Sequence, residues 1–175
     1  MFKTGFRHKD WAIGLITSFK ALFNRNRIVG IMTEELVELL NETITLELGD
    51  SIRYLWQYVI LERASNPSLK DTFKDASIEK VKRGMALGER LFSLEGLPAT
   101  QPPPVNVGSS LKEMVELDIK SENDLVSTLK EIILEATKEN DTDTRLLCER
   151  ILDEEEQLKH VLVCELGRLH TKLVK

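Results

Sequence analysis

Apolar residues recur every three or four positions between residues 40 and 62, separated by polar residues. This spacing predicts a long helix with one buried face. The face is formed by Leu40, Ile44, Leu48, Ile52, Leu55 and Val59. Glu47 and Tyr54 are seven residues apart, so they project from one side of the helix, close to that face. A carboxylate in such a place is costly unless another group pairs with it, so we expect a partner for Glu47 elsewhere in the chain.

The same periodicity predicts four long helices in all. They cover residues 33–64, 68–95, 110–138 and 143 to near the C-terminus. In the second helix the apolar positions are Phe73, Ile78, Val81, Met85, Leu87, Leu91, Phe92 and Leu94. Ser110 and Glu113 have the Ser-x-x-Glu spacing of a capping box, which marks the start of the third helix.

The segment between the second and third helices, residues 97–108, contains four prolines and cannot be helical. An extended proline-rich segment of this length reaches over about 30 Å, the length of a long helix. It therefore suits a crossover that joins two parallel helices at opposite ends of a bundle. The fold class predicted is all-α: a four-helix bundle with one long crossover.

Residues 1–30 form a separate, basic piece, and we divide the chain into residues 1–30 and 31–175. The first piece has six Lys or Arg and one Asp, a net charge of +5, so the rest carries −10 of the total of −5. The apolar spacing of an amphipathic helix is formed by Trp11, Leu15, Phe19, Leu22 and Phe23. Such a helix packs on its own acidic body or a neighbouring subunit, lies on an anionic membrane surface, or docks on an acidic protein partner. A targeting segment is a further alternative.

The composition narrows the class of protein. The chain has 175 residues, 42% of them hydrophobic, which is enough for one well-buried core. Its acidic body argues against nucleic-acid binding. Cys148 and Cys164 lie 16 residues apart on one predicted helix, about 24 Å and too far for a disulfide. A reducing cytoplasmic location is favoured, and no apolar run is long enough for a membrane span.

Between Leu40 and Leu166 the chain resembles the bacterioferritins, a ferritin-like family. The resemblance is carried by LNETITLEL with the later Tyr54, by SIEKVKR and ERLFSLEGLP, by LDIKSEND, and by ILDEEE. It implies a subunit that builds a hollow shell with other copies, oxidises Fe(II) at a di-iron centre inside the bundle and stores the ferric mineral. It also implies haem held between paired subunits by a methionine, but that position holds Val81 here, so no haem site is expected.

Three of the six iron ligands implied by the resemblance are present. Glu47, Glu122 and Glu155 stand at ligand positions of the first, third and fourth helices, and Tyr54 stands at the position of a tyrosine near the centre.

The other three ligand positions are substituted. Lys80 replaces the bridging glutamate of the second helix, Arg83 replaces its histidine, and Leu158 replaces the histidine of the fourth helix. Shifting the fourth helix by two residues would bring His160 into the ligand position. It would also bury the acidic run 153–156, so we keep the ungapped register.

The simplest interpretation is a buried salt-bridge network, in which Lys80 and Arg83 neutralise Glu47, Glu122 and Glu155. Two alternatives are a single weakly held metal ion on the three glutamates, with iron as the candidate, and cations that extend outward to water. Tyr54 either hydrogen-bonds a central carboxylate or is an ordinary core residue.

Two classes of function follow. The first is an iron-storage or shell subunit, in a homo-oligomer or a mixed ferritin-like shell, with little or no enzymatic activity of its own. The second is a structural or regulatory ferritin-like protein that docks to a membrane or partner through residues 1–30. An active ferroxidase ranks third, because the ligand set is incomplete.

Overall fold

A computed structural model describes residues 34–61 and 67–173 of the chain. In this part the chain forms four helices, α1 (Glu34–Leu61), α2 (Pro67–Ser93), α3 (Leu111–Lys138) and α4 (Thr142–Leu173). Their ends lie within three residues of the predicted ones. The amphipathic helix predicted in residues 1–30, and the division at residue 30, lie outside the described residues.

Two hydrophobic clusters at opposite ends of the bundle fix the directions of the helices. The first cluster contains Leu36 and Leu40 from the start of α1 with residues from the end of α2, the end of α3 and the start of α4. The second contains Tyr54 and Leu61 from the end of α1, together with the start of α2, the start of α3 and the later part of α4. Thus α1 and α4 run one way and α2 and α3 run the other, so the predicted four-helix bundle is confirmed.

The crossover follows α1 from Asn41 to Gln57. The Asn41 side chain donates to the carbonyl oxygen of Leu97 at 3.1 Å and accepts from the backbone of Ala99 at 2.7 Å. Further along, Gly49 leaves room for Pro103, since an added Cβ would lie 2.9 Å from its ring. Gln57 then donates to the carbonyl oxygen of Val107 at 3.3 Å. The non-helical segment between α2 and α3 therefore spans the length of the bundle, as its prolines predict.

The start of α3 has the predicted cap. Ser110 is the N-cap, and its hydroxyl accepts from the backbone of Glu113 at 3.2 Å. The Glu113 carboxylate returns to the backbone of Ser109 at 2.8 Å, one residue earlier than the standard capping box requires.

The predicted apolar face of α1 is wrong in its second half. Leu55 and Val59 are 43% and 48% exposed. Four residues turn a helix about 40° more than one full turn, so a series of such steps drifts around the helix. Val59 therefore lies about 100° around the helix axis from Leu40. Glu47 and Tyr54 lie within about 40° of Leu40 and are both fully buried. The centre of the buried face thus holds the two polar residues.

The apolar positions of α2 do not all lie on one buried face. Phe73, Leu87 and Leu91 are fully buried as expected. Outward-facing positions are instead occupied by Ile78, Val81, Met85 and Phe92. Lys80 and Arg83 take the inward positions between them and are 0% and 6% exposed.

Among the described residues, none of the helices combines the length and the apolar character needed to cross a bilayer.

Candidate functional site

A layer of charged side chains lies between the two hydrophobic clusters, and all four helices contribute to it. The contributors that are buried are Glu47 and Asp50 of α1, Lys80 and Arg83 of α2, Asp118 and Glu122 of α3, and Glu155 of α4. Each is buried on the inward side of its helix, and the two hydrophobic clusters lie on either side of the layer. The sequence therefore builds an apolar bundle around one ionic layer.

Lys80 lies at the middle of this layer. Its ammonium nitrogen donates to Oε2 of Glu122 at 2.9 Å and to Oε2 of Glu155 at 2.8 Å. Two further carboxylates approach it, with Oε2 of Glu47 at 3.8 Å and Oδ2 of Asp50 at 3.6 Å. Burial alone would lower the pKa of this lysine, but Glu122, Glu47 and Glu155 outweigh burial and hold the pKa above its usual value. Lys80 is therefore a charged ammonium at neutral pH.

Arg83 occupies the neighbouring position, one helical turn along α2. Its Nη1 donates to Oε2 of Glu154 at 3.3 Å. Its Nε lies 2.8 Å from Oε1 of Glu155 and 3.4 Å from Oε1 of Glu47. Arg83 Nε and the Oε1 atoms of Glu155 and Glu47 have no hydrogen-bond partner, because the donor and acceptor angles at these contacts are unsuitable. Both close contacts are thus ion pairs rather than hydrogen bonds.

Glu47 is held in the layer by charge alone. The side chain is fully buried, and neither carboxylate oxygen has a hydrogen-bond partner in the described structure. Burial raises its pKa, while the positive charges of Lys80 and Arg83 act in the opposite direction. Glu47, for which the sequence predicts a partner, thus faces the two cations Lys80 and Arg83.

Tyr54 orients the carboxylate of Glu122. Its hydroxyl donates to Oε1 at 2.7 Å, and Lys80 donates to the other oxygen of the same group. Burial raises the pKa of Glu122 to about 7, although Lys80 opposes that rise. Tyr54 also stacks obliquely on Phe73, with ring centroids 5.5 Å apart, so its position is fixed by packing as well.

A second polar group, between α1 and α3, was missed at the sequence level. Arg53 pairs with Asp50 and, through Nε at 3.0 Å, with Oδ1 of Asp118. Ser121 donates to both oxygens of Asp50, at 2.8 and 3.0 Å. Spacing offered a signal, since Asp50 lies three residues after Glu47 and Asp118 four residues before Glu122, each one turn away on the same face.

The residues present do not fit a di-iron centre. The charged ammonium of Lys80 lies within hydrogen-bond distance of Glu122 and Glu155, two of the three glutamates at ligand positions, and would repel a dication bound to them. Leu158 supplies no donor atom and packs against the second hydrophobic cluster. His160 is exposed on α4, 3.7 Å from Sγ of Cys164, so the rejected shift of α4 finds no support. In the described part of the chain, no three His, Cys, Asp or Glu side chains are arranged to hold a metal ion.

The position that the resemblance gives to the haem methionine faces outward. Val81 is 44% exposed on α2 and offers no ligand atom.

Comparisons with known proteins agree with this architecture. Residues 37–169 match the model of a family described as the ferritin-like domain. A bacterioferritin of Brucella melitensis is 30% identical over 123 residues, which cover 70% of this chain and 76% of that protein. A bacterioferritin of Mycobacterium leprae is 29% identical over 129 residues, covering 73% and 81%. A bacterial ferritin of Pseudomonas aeruginosa is 27% identical over 134 residues, covering 76% and 87%.

Proposed function

The chain belongs to the ferritin-like family, and from that membership we propose that it is an iron-storage shell subunit that does not itself oxidise iron. Iron in this proposal is the cargo of the assembly, not a resident of the bundle. The observation that carries the proposal is the position of Lys80, whose ammonium group lies among Glu47, Asp50, Glu122 and Glu155.

The ionic layer uses two side-chain cations, Lys80 and Arg83, in place of two metal ions. A centre of the family type balances its carboxylates with two dications. Here the permanent charges of Lys80 and Arg83 stabilise the same glutamates without any ion from solution. A dication brought to this layer would meet a fixed ammonium at a separation of a few ångströms, where like charges repel strongly. The ionic layer is therefore a salt-bridge network that stabilises the bundle without a metal ion.

Assembly with further copies is supported by the outer surfaces of α1 and α2. Four apolar residues with spacings of three, four and seven lie on one side of α2 and are exposed: Ile78, Val81, Met85 and Phe92. The later part of α1 exposes four more: Leu55, Trp56, Val59 and Ile60. Exposed apolar stripes of this extent mark interaction surfaces. A homo-oligomer, or a mixed shell with other ferritin-like subunits, would cover them.

A second candidate function rests on charge. The net charge of +5 on residues 1–30 favours docking of the protein to an anionic membrane surface or an acidic partner. In that case the bundle would be a structural or regulatory body rather than part of a storage shell.

The mass of the purified particle, measured together with its iron content, separates the two functions. We expect a large hollow particle that contains iron after growth in iron-rich medium, or that co-purifies with other ferritin-like subunits. A small, iron-free oligomer recovered with anionic lipid would contradict the storage function and favour the second.

A further inference from the structure

Asp118 is a buried carboxyl group whose two oxygens have very different surroundings. Its Oδ1 accepts from Nε of Arg53 at 3.0 Å and from Nε2 of Gln57 at 3.1 Å. Its Oδ2 is buried and has no hydrogen-bond partner in the described structure. A carboxylate shares its charge equally between both oxygens, so this arrangement would leave half of a negative charge unsolvated. A neutral carboxylic acid, with Oδ1 as the carbonyl and Oδ2 as the hydroxyl, matches the asymmetry.

The charge balance of the layer also favours a neutral carboxylic acid at Asp118. Five carboxylates that are 2% exposed or less, Glu47, Asp50, Asp118, Glu122 and Glu155, face three cations, Lys80, Arg83 and Arg53. With every group ionised, the buried layer would hold an excess of two negative charges. A buried excess charge is relieved by taking up protons.

An acceptor for the proton is available beside Asp118. The Oε1 atom of Gln57 is also buried without a hydrogen-bond partner. A carboxylic acid at Asp118 brings one new O–H donor to a pair of side chains that already bond through Nε2 and Oδ1. The neutral form therefore offers a donor where an acceptor is unpaired, while the ionised form offers none.

We propose that Asp118 is a neutral acid in the folded protein in mildly acidic solution and loses its proton in the neutral range, and that this proton links the packing of α1, α3 and the crossover to pH. The link to the crossover runs through Gln57, whose Nε2 donates both to Asp118 and to the carbonyl oxygen of Val107. Ionisation of Asp118 would leave an unsolvated charge on the carboxyl group that shares Nε2 of Gln57 with the crossover. Alkaline conditions should therefore loosen the packing of α1, α3 and the crossover around Gln57 before the rest of the bundle.

The groups that face Asp118 support this assignment. From α1 the guanidinium of Arg53 favours the ionised form, and from its own helix Glu122 opposes it. Tyr54 lies close enough for its own pKa to respond to Asp118. Lys80 of α2 makes its ion pairs with Glu47, Asp50, Glu122 and Glu155. Burial outweighs Arg53 and raises the pKa of Asp118 to about 7.

Carbon NMR of protein labelled with ¹³C only at the aspartate side-chain carboxyl tests the proposal directly, because the label excludes every glutamate. Burial also raises the pKa of Asp50, so the signal of Asp118 is identified by its loss in D118N. We expect this signal to titrate between pH 6 and 8 in the wild-type protein, on the order of three units above the ordinary value. That signal should be absent from D118N. It should persist in D124N, a matched change at an exposed aspartate on the same helix. If every aspartate signal titrates below pH 5, or if no signal that titrates between pH 6 and 8 is lost in D118N, the proposal is wrong.

The stability of the same three proteins gives an independent readout. Between the unfolded and folded pKa values the folded state holds a proton that the unfolded state lacks, so the contribution of Asp118 to stability falls as pH rises from about 4 to about 7. The amide side chain of D118N cannot ionise, so the denaturant midpoint of this variant should gain on that of the wild type as pH rises from 5 to 8. D124N should follow the wild type throughout. A constant difference between D118N and the wild type over this range would overturn the proposed linkage.

Discussion

The ammonium group of Lys80 lies 2.9 Å from Oε2 of Glu122, and the other oxygen of the same carboxylate accepts the hydroxyl proton of Tyr54 at 2.7 Å. Three helices thus meet at one carboxyl group, since Tyr54 comes from α1 and Lys80 from α2. Glu155 of α4 completes the arrangement by accepting from the same ammonium. The buried ammonium of Lys80 is hydrogen-bonded to two helices and lies close to a third. Its removal should therefore lower the stability of the whole bundle.

Replacing Lys80 by alanine should destabilise the protein by about 3–5 kcal/mol, because it leaves several buried carboxylates without their shared cation. The measurement is the free energy of unfolding from denaturant titration. Lys82→Ala is the matched control, because Lys82 is exposed on the same helix and pairs with exposed Glu79. That exposed pair should contribute less than about 1 kcal/mol. Equal effects of the two changes would show that Lys80 does not serve a buried network.

The loss in Lys80→Ala should also depend on pH. Lys80 lowers the pKa values of Glu122, Glu47 and Glu155, so its removal makes the folded state bind protons more tightly. Stability then falls more steeply with rising pH. The difference in unfolding free energy between wild type and variant should be larger at pH 8 than at pH 5. A larger loss at pH 5 would contradict the charge balance described for the layer.

Replacing Tyr54 by phenylalanine should cost about 1.5–3 kcal/mol at pH 8, where Glu122 is ionised and loses a hydrogen bond made to a charged group. The loss should be smaller at pH 5, since Tyr54 favours the ionised form of Glu122. Tyr58→Phe removes a hydroxyl from a half-buried tyrosine of the same helix and serves as the control. If both variants unfold alike at both pH values, the hydrogen bond to Glu122 contributes nothing.

Residues 1–30 should bind anionic vesicles in a salt-dependent manner if they dock to a membrane, because exposed charges are screened as ionic strength rises. Co-sedimentation of the full chain and of a chain lacking residues 1–30 measures this. Under the docking hypothesis only the full chain should sediment with anionic vesicles, and raised salt should release it. Equal partitioning of the two chains would remove the membrane role and leave packing on the protein itself.

The helices and the crossover could be predicted from the sequence because the signals are local. Four prolines within residues 97–108 exclude a helix there, and the Ser110 cap is confirmed by its bond to Glu113. Apolar periodicity, in contrast, cannot tell a core from a surface that another molecule covers. Val59, for example, was assigned to the buried face of α1 from its spacing, yet it is about half exposed.

The ionic layer was only partly predictable. Lys80 and Arg83 look like ordinary surface residues of a polar helix, and only the resemblance placed them opposite Glu47. The pairing of Arg53 with Asp118 joins residues 65 apart in the chain. It depends on how α1 and α3 lie side by side, which no local pattern records. The partners of these buried charges lie on other helices, so they can be identified only from the assembled bundle.

Iron oxidation by the natural protein should be no faster than in protein-free buffer. No histidine of the described residues reaches the layer, and Lys80 occupies the space between Glu122 and Glu155. The measurement is the growth of ferric absorbance after Fe(II) is added in air, with Glu47→Gln as the comparison. Rapid oxidation that is lost in Glu47→Gln would show that the glutamates form a working centre.

The most direct test of the central claim is the number of divalent metal ions bound per chain, measured by equilibrium dialysis and metal analysis on the natural protein and a triple variant. The variant combines Lys80→Glu, Arg83→His and Leu158→His, which restores the four glutamates and two histidines of a di-iron bundle on otherwise unchanged helices. We expect about two ions per chain in the variant and none at this layer in the natural protein. Two ions bound by the natural protein, and lost when Glu47 or Glu122 is replaced, would contradict the claim that Lys80 and Arg83 have taken the place of the metal.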